Sequence, residues 1–406
     1  MDSRAHATAI VRKLVEAGYV AYFAGGWVRD FTLGHPSEDI DIATDAPPDK
    51  IMDLFPRTLL VGLAFGVVIV IIEGHQFEVA TFRRDVHYID GRRPEKIELS
   101  TAHEDAYRRD FTINGMFYDP IEDVVHDFVQ GYDDIKKGVI RTIGDPHQRF
   151  GEDRLRMIRA IRFAARFGFV IDPETRQAIM ENAETLFPAV AMERIWQEFN
   201  KMAAYPNFDK AIMDMHSLGL LRVIFPELEQ LHLNDLRHRL DAFHHFPNES
   251  PTILYLMEIF QSESIDRKCE ICRRLRVSNQ NIELVEFCDS VSQQLSTGGI
   301  REDVEWAHLY AHRDTRLCLE VIAARILNQQ ERAAFLEEHA RREEALRPHI
   351  ERIRKGKPLV TASLLQQHGI LPGKQMGLLL KEAERIAINE NCHDPQIIIN
   401  RLVKNA

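Results

Sequence analysis

The residues with the clearest chemical potential lie within the first eighty positions. Gly25-Gly26-Trp27-Val28-Arg29-Asp30 is followed by Asp39-Ile40-Asp41, and Glu78 comes later in a β-rich run. Paired glycines after a strand let backbone amides approach a polyanion, and a helix opening near Trp27 aims its N-terminal dipole at the same place. That arrangement suits a triphosphate. Side chains alternate along a strand, so Asp39 and Asp41 share one face while Ile40 turns to the core. Two hard carboxylate ligands, with phosphate oxygens completing the shell, is how Mg²⁺ is usually held, and Glu78 on a neighbouring strand can supply a third carboxylate. A glycine pair alone marks a turn, and an Asp-x-Asp alone is often a solvated strand edge; their spacing on consecutive elements makes the combination informative.

These groups need a scaffold. Residues 20–24, 40–43, 67–72, 77–82 and 116–119 read as strands, and the third and fourth form a hairpin across Glu73-Gly74-His75-Gln76. From Pro146 onward no strand is evident and apolar residues recur at helical spacing to the end. The expected fold is α+β: a small mixed-sheet head followed by an all-helical remainder. Weak breaks fall at Tyr205-Pro206, Phe246-Pro247, Arg347-Pro348 and Leu371-Pro372-Gly373.

With 406 residues, 45% hydrophobic and 28% charged, the chain has material for more than one core. No run approaches the roughly 20 apolar residues that cross a bilayer, so the expectation is a cytoplasmic protein with no membrane partner. A net charge of −11 excludes a general nucleic-acid sponge and leaves any RNA to local basic patches. Such patches occur at Lys136, Lys137, Arg141, Arg149 and Arg166, and again at Arg347, Arg352, Arg354, Lys355 and Lys357. Five cysteines do not suggest a disulfide framework, and Cys269 with Cys272 reads as a reduced structural pair.

The segments GGWVRD, DIDIATD, FEVATFRRD, RRDFTING and EDRLRMIRAIRF, in this order over residues 14–205, resemble the bacterial and eukaryotic class of tRNA nucleotidyltransferases and the related bacterial poly(A) polymerases. The resemblance implies a nucleotidyltransferase head (1–145), a helical neck that recognises the base (146–205), a helical body (206–345) and a tRNA-binding tail (346–406). It implies Mg²⁺ on Asp39 and Asp41 with Glu78 assisting, and ATP and CTP as substrates added as CCA to the tRNA acceptor end. Position by position, Gly26, Arg29, Arg109, Asp153, Arg156, Arg159 and Arg162 match nucleotide-contacting residues, and Gly25 belongs to the same turn. Arg108 to Asn114, including Asp110 and Asn114, resembles the part that senses the ribose 2′-hydroxyl. Gly115 departs from the pattern, where alanine is expected.

In that light, residues 152–167 read as one helix with Asp153, Arg156, Arg159 and Arg162 every third residue beside the apolar row Leu155, Ile158 and Ile161. By itself such a stripe is usually a solvated face. A carboxylate accepts and a guanidinium donates, which matches the amine donor and ring acceptor of both cytosine and adenine. Uracil and guanine place a carbonyl where the amine would be, leaving buried acceptors facing each other at about 1–3 kcal/mol each. Asp153 with Arg156 can therefore accept CTP and ATP without a nucleic-acid template.

Arg83 to Pro94 reads as a long polar loop. It resembles the loop that accompanies the switch from C to A addition, which argues against a CC-only enzyme and leaves A-only addition open. Leu60 to Gly66 lacks the basic cluster associated with bacterial poly(A) polymerases. The turn Gly369 to Lys374 can grip phosphates or simply join two helices. A metal phosphohydrolase is the rival from another class, because the 18 histidines include His232, His238, His244 and His245. The pairs His126-Asp127 and His393-Asp394 fall outside that group, and clustered histidines without carboxylates at ligand spacing are usually surface residues. A non-catalytic RNA-binding protein is opposed by the intact acidic trio. No protein partner is indicated.

Overall fold

The computed structural model describes residues 3–35, 37–62, 66–88 and 94–404, which fall into two compact units, Met1–Leu233 and Asn234–Ala406. Residues 63–65 of the run at 60–66 and residues 89–93 of the polar loop lie outside the described residues.

The first unit opens with α1 (Ser3–Glu16), whose Ala7, Ile10, Val11 and Leu14 are buried against the sheet. The strands β1 (Ala21–Ala24), β2 (Asp41–Thr44), β3 (Thr58–Gly62), β4 (Val67–Ile72), β5 (His75–Thr81), β8 (Phe117–Asp119) and β9 (Val124–His126) form one sheet in the order β3-β4-β5-β2-β1-β8-β9. Within this sheet, among the described residues, β2 and β5 are the one parallel pair. The two form the centre of the sheet together with β1, which puts the ends of three neighbouring strands within reach of one site. The β4–β5 hairpin turns on Glu73-Gly74, both at positive φ (50° and 86°), with Ile72 paired to His75. Positive φ at both central residues marks the two-residue turn whose twist suits a hairpin. The helices α2 (Gly26–Thr32), α3 (Pro48–Leu54), α4 (Ala102–Tyr107) and α5 (Gly131–Lys137) complete the head.

Several expectations need correction. The polar stretch after β5 contains β6 (Arg83–Tyr88) and β7 (Pro94–Leu99), which pair as an antiparallel ribbon. Strands β3 and β9 were not foreseen. The segment 152–167 is two helices, α6 (Pro146–Glu152) and α7 (Leu155–Phe167), separated by Asp153 in extended conformation (φ −149°, ψ 107°). A short parallel pair, β10 (Val139–Ile140) with β11 (Val170–Ile171), closes around those helices, so the part beyond Pro146 is not purely helical. The unit continues with α8 (Pro173–Asn182), α9 (Met192–Ala203), α10 (Phe208–Ser217) and α11 (Leu220–Ile224), and both α9 and α10 pack on α7.

The second unit is helical throughout its described residues. One core gathers Val291, Tyr310, Leu346 and Ile350, and another gathers Leu365, Met376, Ile398 and Leu402. Pro348 does not break the chain; it lies inside the helix Gln329–Arg354. Cys288 and Cys318 form a disulfide, contrary to the expectation from cysteine count, while Cys269 and Cys272 are free and buried. No helix among the described residues is long and apolar enough to cross a membrane.

Candidate active site

Strand β1 ends at Ala24, and the chain turns at Gly25 with φ +70°. A Cβ at this position would stand 3.2 Å from Arg109 Nη1 and 3.7 Å from Asp41 Oδ2, in a conformation that side chains rarely adopt. Glycine is needed for both reasons. Directly across the sheet Ala24 pairs with Asp41, the first residue of β2. Asp41 and Glu78 each precede the aligned pair Ile42 and Val79, so they fall on one face of the sheet. That face carries Ala24, Ala43 and Phe117 in an apolar cluster, and Asp41 stands where the strand ends and the cluster gives way to solvent.

Asp41 is exposed, yet the protein mass around its carboxyl, and then the negative charges of Asp39 and Glu78, push its pKa up to about 6. Arg109 pulls in the opposite direction. The three acids are thus near enough to repel one another. Asp39 lies two residues before β2, so the pair does not share a strand as expected. Among the described residues, no group of three or more His, Cys, Asp or Glu stands ready to hold a metal. The histidines at 232–245 therefore give the phosphohydrolase reading no support.

Beside Gly25 opens a cavity of about 480 Å³. Every residue expected to contact the nucleotide lines it: Gly25, Gly26, Arg29, Arg109, Asp110, Asn114, Asp153, Arg156, Arg159 and Arg162. Eight arginines and two aspartates line the wall, which makes it a receptor for a polyanion. Most of these arginines are already oriented. Asp105 grips Arg109 through Nε (3.2 Å) and Nη2 (3.0 Å), and the guanidinium stacks 4.9 Å from the Phe117 ring. Burial opposes the charge on Asp105, but Arg109 and Arg108 outweigh it and hold its pKa below the ordinary value.

Arg29 is buried, donating to Asp30 (2.8 Å) and to Asn114 Oδ1 (2.6 Å), with the rings of Phe163 and Phe167 beneath it. The Asn114 amide in turn donates to Asp110 at 3.0 Å. Arg159 reaches Asp110 through Nε (2.8 Å) and Nη2 (2.5 Å). Burial disfavours the charge on Asp110, yet Arg159, the Asn114 amide and Arg156 hold its carboxyl well below the usual carboxylate range. Arg162 is paired with Glu198 of α9 at 2.5 Å, both side chains buried.

Asp153 also lines the cavity; it occupies the break between α6 and α7, where its Oδ1 accepts the N–H of Leu155, the first residue of α7, at 3.0 Å. Arg156 donates through Nη1 to Glu152 (2.6 Å) and the Arg149 carbonyl (3.1 Å), and through Nη2 to the Arg108 carbonyl (3.3 Å). Two polar liners, Arg166 and Arg194, were not among the nucleotide-binding expectations, nor was the Phe163 ring beneath Arg29; Arg108 was named only within the ribose-sensing segment. Arg166 was assigned to an RNA patch, but it lines the cavity and bonds Asp30 at 3.1 Å. Of the other neck cations, Arg141 is committed to Asp134 and Asp172, and Arg149 to Glu152. Arg194 left a faint trace in the sequence, since a cation in the first turn of a helix opposes the helix dipole.

An arginine-lined cavity with an acceptor and a donor side chain in its wall, and acids beside the glycine turn that borders it, suits the transfer of a nucleotide. The fold and the site define a nucleotidyltransferase. Residues 21–141 match the poly A polymerase head domain, and residues 168–231 match the probable RNA and SrmB-binding site of polymerase A. The CCA-adding enzyme of Anoxybacillus flavithermus is 42% identical over 223 residues, 55% of each chain, so that match spans about half the length of the relative. The CCA-adding enzyme of Levilactobacillus brevis is 33% identical over 377 residues, 92% of this chain and 91% of its own. The crystal structure of the Bacillus stearothermophilus CCA-adding enzyme in complex with CTP superposes with a TM-score of 0.79 at 26% identity, covering 100% of this chain and 99% of that one. The chain belongs to the family of CCA-adding enzymes, nucleotidyltransferases that are generally metal-dependent.

Proposed function

We propose that this protein adds C, C and A to the 3′ end of tRNA in the cytoplasm, using CTP and ATP and releasing pyrophosphate. The observation that carries the reading is that the glycine turn and the Asp153–Arg156 pair line one cavity, with Asp41 beside that turn. The CTP held by the Bacillus stearothermophilus relative supports it.

Asp39 and Asp41 are the proposed Mg²⁺ ligands, with Glu78 assisting. Crowded like charges favour a divalent cation, and Mg²⁺ is ordinarily held by one or two carboxylates together with substrate phosphates. When bound, the ion activates the attacking hydroxyl and offsets charge on the leaving pyrophosphate. The residues of the chain do the rest. Gly25 and Gly26 let the triphosphate come close to the backbone. Arg109, fixed by Asp105, lies between the acids and the cavity and faces the phosphates. Arg29, Asp110 and Asn114 form a rigid set for the ribose and its 2′-hydroxyl, and Arg159 and Arg162 line the approach to the base.

Asp153 accepts from the exocyclic amine, and Arg156 still has its Nε–H and one Nη2 hydrogen for a ring acceptor. The tRNA 3′-oxygen bonds the α-phosphorus, the bond from that phosphorus to the bridging oxygen breaks, and the hydroxyl proton passes to solvent. We also propose the division into head (1–145), neck (146–205), body (206–345) and tail (346–406), with the tail and its turn at Lys374 gripping tRNA.

The test is product sequencing after incubation with tRNA ending at the discriminator base, and separately with tRNA ending in CC. Full CCA on the first substrate is expected. Addition of A to the second alone identifies an A-adding enzyme, and long A tracts identify a poly(A) polymerase.

A further inference from the structure

Asp153 is held from two sides. Its Oδ1 accepts the Leu155 N–H, and the two carboxylate oxygens receive the fork of Arg194, Nη1 to Oδ1 at 3.2 Å and Nη2 to Oδ2 at 2.8 Å. Both side chains line the cavity and both are mostly shielded, at 18% exposure each. A carboxylate has about four lone-pair sites. Three are taken, so one acceptor is left, on Oδ2 of a side chain that lines the cavity, the number that a single amine hydrogen requires.

Arg194 does nothing for its own helix. It sits in the first turn of α9 behind Ala191, which supplies no side-chain cap, and a cation there opposes the dipole. Its place is explained by Asp153, 41 positions earlier in the chain. Arg159 offers no replacement, because its Nε and Nη2 are already given to Asp110. Without the Arg194 fork, one backbone N–H is the remaining bond, and the carboxylate is free to turn away from a base.

We propose that Arg194 is the positioning residue for base selection: its fork sets the direction of the Asp153 acceptor and thereby makes the site discriminate cytosine and adenine from uracil and guanine. The proposal rests on the reading of Asp153 as the base reader. It adds a determinant on a separate helix, outside the segment that carries Asp153 and Arg156.

The experiment uses the full chain with Arg194→Met, Arg194→Lys and Asp153→Ala, and measures kcat and KM for all four nucleotides on tRNA lacking CCA and on tRNA lacking only A. For Arg194→Met, the kcat/KM ratios of CTP over UTP and of ATP over GTP should fall about 10- to 100-fold, the range lost with a charge-assisted hydrogen bond. The loss should appear mainly in KM for CTP and ATP. Arg194→Lys keeps the charge without the fork and should fall in between; it carries the test if the methionine variant does not fold. A proportional drop with all four nucleotides, or unchanged selectivity in Arg194→Lys, overturns the proposal. If Asp153→Ala keeps normal selectivity, the base-reader assignment itself fails. If Asp153→Ala loses selectivity while Arg194→Met keeps it, only the role of Arg194 is refuted.

Discussion

Asp41→Asn should make the protein inactive and more stable at once. The carboxyl is pushed from its ordinary 3.8 to about 6, by burial first and by Asp39 and Glu78 next. Between these two values the folded chain holds a proton that the unfolded chain releases, so stability falls as pH rises through the interval. The penalty is absent below about 3.8 and complete above about 6. Undamped, such a rise corresponds to ~3 kcal/mol. Solvent screening at an exposed carboxyl reduces this to about 1 kcal/mol, or roughly 2–4 °C in melting temperature for a unit of this size. Asparagine keeps the shape and removes the charge. Melts at pH 4 and pH 7.5 in chelator should therefore show a gain of about 1 kcal/mol at the higher pH and almost none at the lower. Added Mg²⁺ should narrow the gap by stabilising the wild type alone. Incorporation should fall about 10³-fold or more, since several kcal/mol of charge stabilisation are lost. A variant less stable than wild type at pH 7.5, or equally favoured at both pH values, would show that the neighbouring carboxylates do not strain Asp41.

Two further substitutions probe the support of the site. At Gly115 a Cβ would stand 2.7 Å from Val129 Cγ2 and 2.9 Å from Ile143 Cδ1, so Gly115→Ala should destabilise by about 1–3 kcal/mol in urea titration, and adding Ile143→Val should restore part of the loss; an unaltered midpoint would contradict the packing. Glu198→Gln leaves the buried Arg162 guanidinium without its counter-charge and should cost about 3 kcal/mol, whereas a loss under about 0.5 kcal/mol would mean that the pair is solvated.

Much of this was legible in the residues. The unbroken β-branched run at 67–72 placed β4 to the residue, and Gly74 marked the hairpin, although the turn is only Glu73-Gly74 and the expected connecting residues His75 and Gln76 already belong to β5. Among the cavity residues the glycine pair and the stripe at 153, 156, 159 and 162 were visible by type and spacing, whereas Arg29, Arg109, Asp110 and Asn114 were implied only by the family resemblance. What escaped notice depends on contacts distant in sequence. The stretch 152–167 is rich in helix formers, and its interruption arises because Asp153 answers to the Leu155 amide and to Arg194 on another helix. The β6–β7 ribbon hides behind glycine, proline and charge because its ladder is made by the backbone, whatever the side chains. Cys288 and Cys318 are 30 residues apart, and only helix packing brings them together. Gly115, a departure from the family pattern, is accounted for by Val129 and Ile143, which fill the space an alanine methyl would need.

The interruption at Asp153 bears on how far the alphabet of this enzyme can be rewritten. On the proposed reading one carboxylate has two tasks, since the group that would meet the base also holds the Leu155 amide at the first residue of α7. Replacements free to drift or be engineered in are then confined to short side chains able to accept from a backbone amide, chiefly asparagine, serine and threonine. Any of these also leaves a guanidinium on α9 without its anion. New base preferences should thus arise as coordinated changes at positions 153 and 194, seldom as a single step.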